Sequence, residues 1–571
     1  MGRVLTSYLS LLVFLVACSS GTSTTGSTPG SGSTSPSKAI KHIVVIFGEN
    51  VSFDHYFATY PIAANPAGEP QFTATEGTTT PTGLSGTLIS ANPNDSNKKN
   101  GAGAANPFRL DRTQAATGDQ DHKYTPEQIA FDNGAMDLFP FSVGAADSAA
   151  LAKQTGAGSV AATTGLTMGY YDGNTVTALW NYAQHYALND QSFGTTFGPS
   201  TVGAINLVSG QTNGAVAEQN ASRALVSDGS GGFTLVGDAY PDGEVCSGTT
   251  DAAVSMSGKN IGDLLTAGNI SWGWFQGGFD LTITNANGTT GCRRSTTSAV
   301  TGQTSLDYAA EHESFQYYAT TRNLQHTRPT SLAAIGTNAD AANHQYDIED
   351  FSNALAAGNM PAVSFLKAPA HQEGHAGYSD PLDEQTFIVG MVNAIEQSQF
   401  WSSTAIVIAY DDSDGWYDHV INIVNGSATA VDALNGPGTC GSSTATSANA
   451  LPGVNPSTAH AQGRCGYGPR LPLLAISPWA KSNYIDSTIT DQSSIPRFIE
   501  DVFLSSQRIG GGSFDSIAGT LDNMFDFSQS SPQNGAVILL DNSTGEITSG
   551  VSSLLLRTRR GGSELLRTRG R

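Results

Sequence analysis

Two short apolar runs, each closed by acids, constrain this 571-residue chain more than any other feature. Ile43-Val44-Val45-Ile46-Phe47 leads into Gly48-Glu49-Asn50, and Ala405-Ile406-Val407-Ile408-Ala409-Tyr410 leads into Asp411-Asp412. Both are continuous rather than alternating, rich in β-branched residues and bounded by polar ones. Strands buried on both faces of a parallel sheet have this pattern. In open α/β sheets ligands gather at the carboxyl ends of strands. The two runs therefore bring three carboxylates and one carboxamide toward one edge. Carboxylates that close repel one another unless a cation holds them, so the pair predicts a metal centre and, with it, an enzyme.

The rest of the chain suits such a scaffold. Hydrophobic residues make up 39% and charged residues only 13%, with 64 glycines, which fits a compact sheet carrying long polar loops better than disorder. The net charge of −22 argues against nucleic acid as the main partner. It leaves room for an anionic substrate, because a bound cation can dominate the local field.

The N-terminus reads as an address. Arg3 precedes the run Leu11-Leu12-Val13-Phe14-Leu15-Val16, which is short for a membrane span and suits a signal peptide over 1–17. Leu15-Val16-Ala17-Cys18 resembles a bacterial lipobox, which would leave Cys18 lipidated, attach the protein to a membrane and tether it through the Ser/Thr/Gly-rich stretch 18–38. An ordinary signal peptide cut nearby is the alternative, and both export the protein. Four cysteines remain, and an even number in an exported chain suggests disulfides. Proximity favours Cys246–Cys292 and Cys440–Cys465 among three possible pairings. A catalytic domain over 39–545 is expected, then a basic tail over 546–571 that repeats Leu-Arg-Thr-Arg. The tail reads as a disordered extension without function or as a contact for anionic lipid.

Along the domain, strands are expected at 40–47, 269–275, 362–366, 405–410 and 471–477. Helices are expected from about Phe53, with Ser52 as its cap, and over 175–187, 387–398 and 491–503. The stretches 61–118, 211–250 and 425–466 read as loops. Strands alternating with helices give an α/β fold with a mainly parallel sheet and long loop insertions.

Glu49, Asn50, Asp411 and Asp412 offer only oxygen ligands, which suit one divalent ion such as Ca, Mg or Mn, with Fe or Zn possible. Ser200, after Gly198-Pro199, is either a helix-capping serine or a nucleophile, and a serine needs a base or a metal to be activated. No Gly-x-Ser-x-Gly elbow surrounds it. Histidines number only 11, so His122, His326, His371, His375 and His419 are each informative as acids, bases or phosphate ligands. The spacing His371-x-x-x-His375 would suit a metal on a helix, but Gly374 and Gly377 predict a loop. Trp272, Trp274 and Phe275 either line a substrate pocket or cage a cationic head group, or pack in the core.

Several of these motifs together resemble a known family. Glu49-Asn50-Val51-Ser52-Phe53-Asp54-His55-Tyr56-Phe57 is similar to the Glu-Asn-x-Ser-Phe-Asp-x-Tyr-Phe signature of the bacterial phosphoesterase family, which holds non-haemolytic phospholipases C and exported acid phosphatases. The likeness continues at Gly198-Pro199-Ser200, at Gly374-His375-Ala376-Gly377-Tyr378-Ser379-Asp380-Pro381 and from Tyr410 to His419, and spans about 38–527. It implies an alkaline-phosphatase-like α/β/α sandwich and a phosphoryl-transfer site. Glu49, Asn50, Asp411 and Asp412 match the family's metal ligands, and Ser200 matches its nucleophile, which also touches the metal. His122, His326 and His375 match histidines around the phosphate, with Gln325 where the family often has a further His. Phospholipase members commonly carry Thr in place of Ser200, so Ser leans toward a phosphomonoesterase. The substrate implied is a small phosphomonoester or a phospholipid head group. A sulfatase is disfavoured, since no Cys/Ser-x-Pro-x-Arg motif is present. A surface lipoprotein with a dead site is the rival from another class.

Overall fold

In the computed structural model, residues 35–144, 158–227, 231–421, 466–528, 531–532 and 537–548 are described. The expectations for Cys18, Cys440, Cys465 and most of the tether and tail fall outside these residues. An eight-stranded sheet organises the chain. Its strands are β1 His42–Gly48, β2 Ala187–Asn189, β3 Trp272–Gln276, β4 Gln345–Asp347, β5 Val363–Lys367, β6 Thr404–Tyr410, β7 Leu473–Ile476 and β8 Tyr484–Asp486. They lie in the order β4-β3-β5-β1-β6-β7-β2-β8. All neighbours are parallel except those of β7, which runs against both β6 and β2. The two acid-tipped runs are thus β1 and β6, adjacent at the sheet centre, with Gly48 opposite Tyr410. Every residue of β6, and all of β1 but His42, is buried, as expected for strands covered on both faces.

Helices cover both faces. On β3, Trp272 donates Nε1–H to Thr266 Oγ1 at 3.0 Å, in the helix Ile261–Ala267. Phe275, of opposite parity, packs edge-on against Phe351 of the helix Ile348–Ala356, with ring centroids 5.4 Å apart. Since side chains alternate along a strand, the two helices lie on opposite sides, and the architecture is an α/β/α sandwich. The helix after β1, Phe53–Phe57, is capped by Ser52, whose hydroxyl accepts from the His55 amide at 3.2 Å.

Three sequence expectations need correction. The stretch 211–250 is not simply loop. With Ala253–Met256 it builds a five-stranded sheet from Asn213–Ala217, Leu225–Ser227, Phe233–Leu235 and Tyr240–Pro241. These strands are two to five residues long and carry Gly and Ala, so no period-2 signal marks them. The helix expected at 387–398 begins earlier, at Pro381, because Asp380 caps it by accepting from the Leu382 and Asp383 amides. The tail does not begin sharply at 546: Glu546 accepts from the Gln71 amide at 3.1 Å, and the Thr548 amide donates to Leu539.

One buried ion network ties the loops beneath the carboxyl edge together. Arg470 is fully buried and lies 4.0 Å over the Phe53 ring. Its Nε bonds Asp418, its Nη2 bonds Asp54 at 3.0 Å, and its Nη1 bonds the carbonyls of Thr82 and Asp190. His419 Nδ1 meets the other Asp54 oxygen at 2.6 Å. Removing one partner from such a cluster leaves uncompensated buried charge. Arg470→Met is therefore expected to lower stability by about 3–5 kcal/mol, read from urea unfolding midpoints. A change under ~1 kcal/mol would show that the network carries little weight.

Candidate active site

Glu49 and Asn50 follow β1 directly, and Asp411 and Asp412 follow β6. Parallel pairing in register therefore sets the two acidic tips side by side. Asn50 turns at φ 61°, a left-handed conformation that Asn tolerates better than most residues. The turn lets its amide donate to Asp411 Oδ1 at 2.9 Å and its Nδ2 donate to Asp414 Oδ1 at 3.1 Å. Asp411 Oδ1 also accepts from the Asp412 amide at 2.7 Å.

Ser200 opens the helix Ser200–Ser209, whose ten residues are all buried. It does not cap the helix: Pro199 holds the N-cap position and makes no side-chain cap bond. The Ser200 hydroxyl instead lies 3.2 Å from Asp412 Oδ2 and 3.4 Å from Asn50 Oδ1. Glu127 steadies the turn before it, accepting from the Gly198 amide and the Ser413 hydroxyl, each at 2.8 Å, and burial pushes its carboxyl up to about 8.

The acids stand in a state that calls for a cation. Burial, then the nearby Glu49, push Asp411 up to about 7. Burial and Asp411 hold Asp412 well above the usual carboxylate range. Glu49 Oε2 and Asp411 Oδ2 are buried and find no hydrogen-bond donor. With the oxygens of Asn50, Asp412 and Ser200 they make a set of oxygen donors of the kind a divalent ion takes, whereas the groups whose ligand atoms already lie within 4.8 Å of one another include Asp119–His122–His375 and Glu49–His312–Glu373. The donor chemistry is that of a hard divalent ion.

Ser200 faces a cavity of about 450 Å³, lined also by His122, His312, His375, Glu311 and Tyr378. Its far wall comes from the small sheet and its turns, through Arg223, Asp238, Tyr240 and Asp251. A volume of this order suits a small ligand. Burial works against charge on His122, but Asp412, Asp414 and Asp119 outweigh it and hold the imidazole well above its usual range. His122 Nδ1 lies 3.2 Å from Asp414 Oδ1. His312 Nδ1 lies 3.2 Å from both Glu49 Oε1 and Glu373 Oε2. Against the cost of burial, these two acids raise His312 to about 10. His375 Nδ1–H donates to the Ala376 carbonyl at 2.7 Å, and the ring stacks on Tyr378.

The structure thus brings together Glu49, Asn50, Asp411, Asp412, Ser200, His122 and His375. It places three other expected residues elsewhere. His326 is buried away from the cavity, stacked on Phe279 with its Nε2 2.5 Å from Glu244 Oε1 and its Nδ1 2.8 Å from the Phe279 carbonyl. Gln325 beside it points to the surface. Trp274 is fully buried between Phe315 and Phe365, so it packs the core and lines no pocket. A third histidine at the cavity, which the sequence did not single out, is His312, preceded by Glu311. His371 lies in the short 3₁₀ helix Ala370–Gln372 and His375 on the loop after it, with Gly374 and Gly377 at φ 96° and 88°. Of the expected disulfides, Cys246–Cys292 is present.

Comparison with known proteins places the chain. The model of the Phosphoesterase family matches residues 40–504. The chain belongs to that family. It is 31% identical over 148 residues to a non-hemolytic phospholipase C of Pseudomonas aeruginosa, covering 26% of this chain and 20% of that protein. It is 28% identical over 233 residues to a non-hemolytic phospholipase C of Burkholderia pseudomallei, covering 38% and 30% respectively. The matched stretches thus span less than a third of either relative's length. Among solved structures, a protein in the alkaline phosphatase superfamily from Vibrio parahaemolyticus is similar at 11% identity and a TM-score of 0.25, covering 76% of this chain and 74% of that one.

Proposed function

We propose that this protein is an exported, metal-dependent phosphoric ester hydrolase that works through a phosphoserine at Ser200 and favours phosphomonoesters. The observation that carries the reading is the Ser200 hydroxyl, 3.2 Å from Asp412 Oδ2 on the cavity floor, among carboxylate oxygens that lack donors. Glu49, Asn50, Asp411, Asp412 and Ser200 would hold one divalent ion. When bound, the ion lowers the pKa of the serine hydroxyl and draws charge from the phosphoryl oxygens.

The remaining steps belong to the chain's own residues. Asp412 and Asn50 aim Ser200 Oγ into the cavity, and the positive end of its helix favours the anion there. His122, held charged by its acidic neighbours, meets the phosphoryl oxygens. Ser200 Oγ passes its proton to Asp412 and forms a bond to phosphorus as the ester P–O bond breaks, and His375 passes a proton to the departing alcohol. Water then attacks the phosphoserine and gives its proton to His375, Asp412 returns a proton to Ser200 Oγ, and Ser200 and phosphate are released. Positioning and charge neutralisation supply most of the rate. The leader and Cys18 support attachment to a membrane by a lipid anchor.

A second reading, a phosphodiesterase of phospholipase C type, is favoured by the phospholipases C among the relatives. Assays on p-nitrophenyl phosphate, bis-p-nitrophenyl phosphate and phosphatidylcholine separate the two, with metal content measured on the same sample. The monoester is expected to turn over fastest, with activity falling to background on chelation and returning with a divalent cation. Preference for the diesters moves the protein to the phospholipase side. No cleavage and no metal would make it a binding lipoprotein.

A further inference from the structure

Lys367 is a charged group at the centre that the reaction above does not use. It closes β5 as Glu49 and Asp411 follow β1 and β6, and β5 pairs directly with β1. Its side chain is fully buried, with the ammonium 5.3 Å from the centre of the Phe47 ring and paired to Glu49 Oε1. The same oxygen lies 3.2 Å from His312 Nδ1, which lies 3.2 Å from Glu373 Oε2. Glu49, His312 and Glu373 are all buried, and their ligand atoms fall within 4.8 Å of one another. A dry carboxylate–imidazole–carboxylate trio suits a divalent ion such as Zn²⁺ or Mn²⁺. It is built on Glu49 Oε1, whereas the oxygen left without a donor is Oε2. On the metal reading one glutamate would face two cation positions, and the Lys367 ammonium pairs with the oxygen that the second would use.

We infer that Lys367 is a built-in cation that fills the second position and holds the centre to a single metal ion. The inference rests on the metal reading proposed above. A fixed ammonium neutralises part of the acid cluster, and it repels a second divalent ion from Glu49, His312 and Glu373. Lys367 would act through Glu49 and not on the substrate, which makes it a positioning residue.

Metal stoichiometry tests this independently of turnover. Lys367→Met keeps an apolar stem over Phe47 and removes the charge, whereas Lys367→Arg keeps the charge. The full chain and both variants would be stripped with chelator, equilibrated with Mn²⁺ or Zn²⁺ and analysed by plasma mass spectrometry, with electron paramagnetic resonance to detect coupled Mn²⁺ pairs. The expected uptake is one ion per chain for the wild type and Lys367→Arg, and two for Lys367→Met with a coupled pair signal. A folded Lys367→Met that still takes one ion overturns the inference. So does a Lys367→Met that stays unfolded by circular dichroism at saturating metal, because Lys367 then serves the fold alone. A wild type that takes up none refutes the metal reading itself, which separates the two failures.

Discussion

Ser200→Ala is expected to drive phosphoester turnover to background, a loss on the order of 10⁴-fold or more, as when a nucleophile that acts as a unit with its partners is removed. The hydroxyl sits between Asp412 Oδ2 and Asn50 Oδ1, and no other hydroxyl lies beside those two oxygens among the described hydrogen bonds. The effect on folding should be small. A single hydrogen bond to Asp412 is lost, worth about 1 kcal/mol, and helix propensity favours Ala at the first turn. Wild-type melting behaviour with background turnover is the expected pair of results, read by calorimetry and by p-nitrophenyl phosphate assay. Activity near wild type would remove Ser200 from the chemistry.

Gly203→Ala should also be damaging, though less so and for a different reason. Gly203 lies one turn into the helix behind Ser200, and a methyl group there would sit 2.6 Å from the Asp411 carbonyl carbon and overlap its oxygen. The obstacle is backbone at the tip of β6, and that carbonyl also accepts from Gln492 Nε2, so neither side can yield freely. Two effects oppose. Helix propensity favours Ala over Gly by about 1 kcal/mol, while overpacking costs about 1–3 kcal/mol. We expect the clash to win, lowering the melting temperature and moving Ser200 relative to Asp412. A misplacement of ~1 Å costs about 10²-fold in rate. A stabilised, fully active Gly203→Ala would mean that the helix does not need this close approach to the strand.

Much of the site was legible because it is written at strand ends. A continuous β-branched run closed by acids reports a buried strand and its ligand edge together, and β1 and β6 are neighbours with Gly48 opposite Tyr410. Lys367 closes Val363–Lys367 in the same manner, so the same rule applied to a base would have found it. His312 carries no such mark. It sits in the short turn Ala310–His312, in a stretch with no period, and only the folded chain distinguishes it from His326. Trp274 shows the opposite limit, since aromatic residues on a central strand serve core and pocket equally well in sequence. The reversed direction of β7 was likewise invisible, because a buried apolar strand reads the same both ways.

The central claim is that Ser200 carries the phosphoryl group. Rapid acid quenching of the protein during turnover of p-nitrophenyl phosphate, followed by mass spectrometry of the peptide containing Ser200, tests it most directly. The account predicts one phosphoryl group on Ser200 in the wild type and none in Ser200→Ala. Turnover that proceeds with Ser200 unmodified at every quench time, or with the phosphoryl group on another residue, would contradict it.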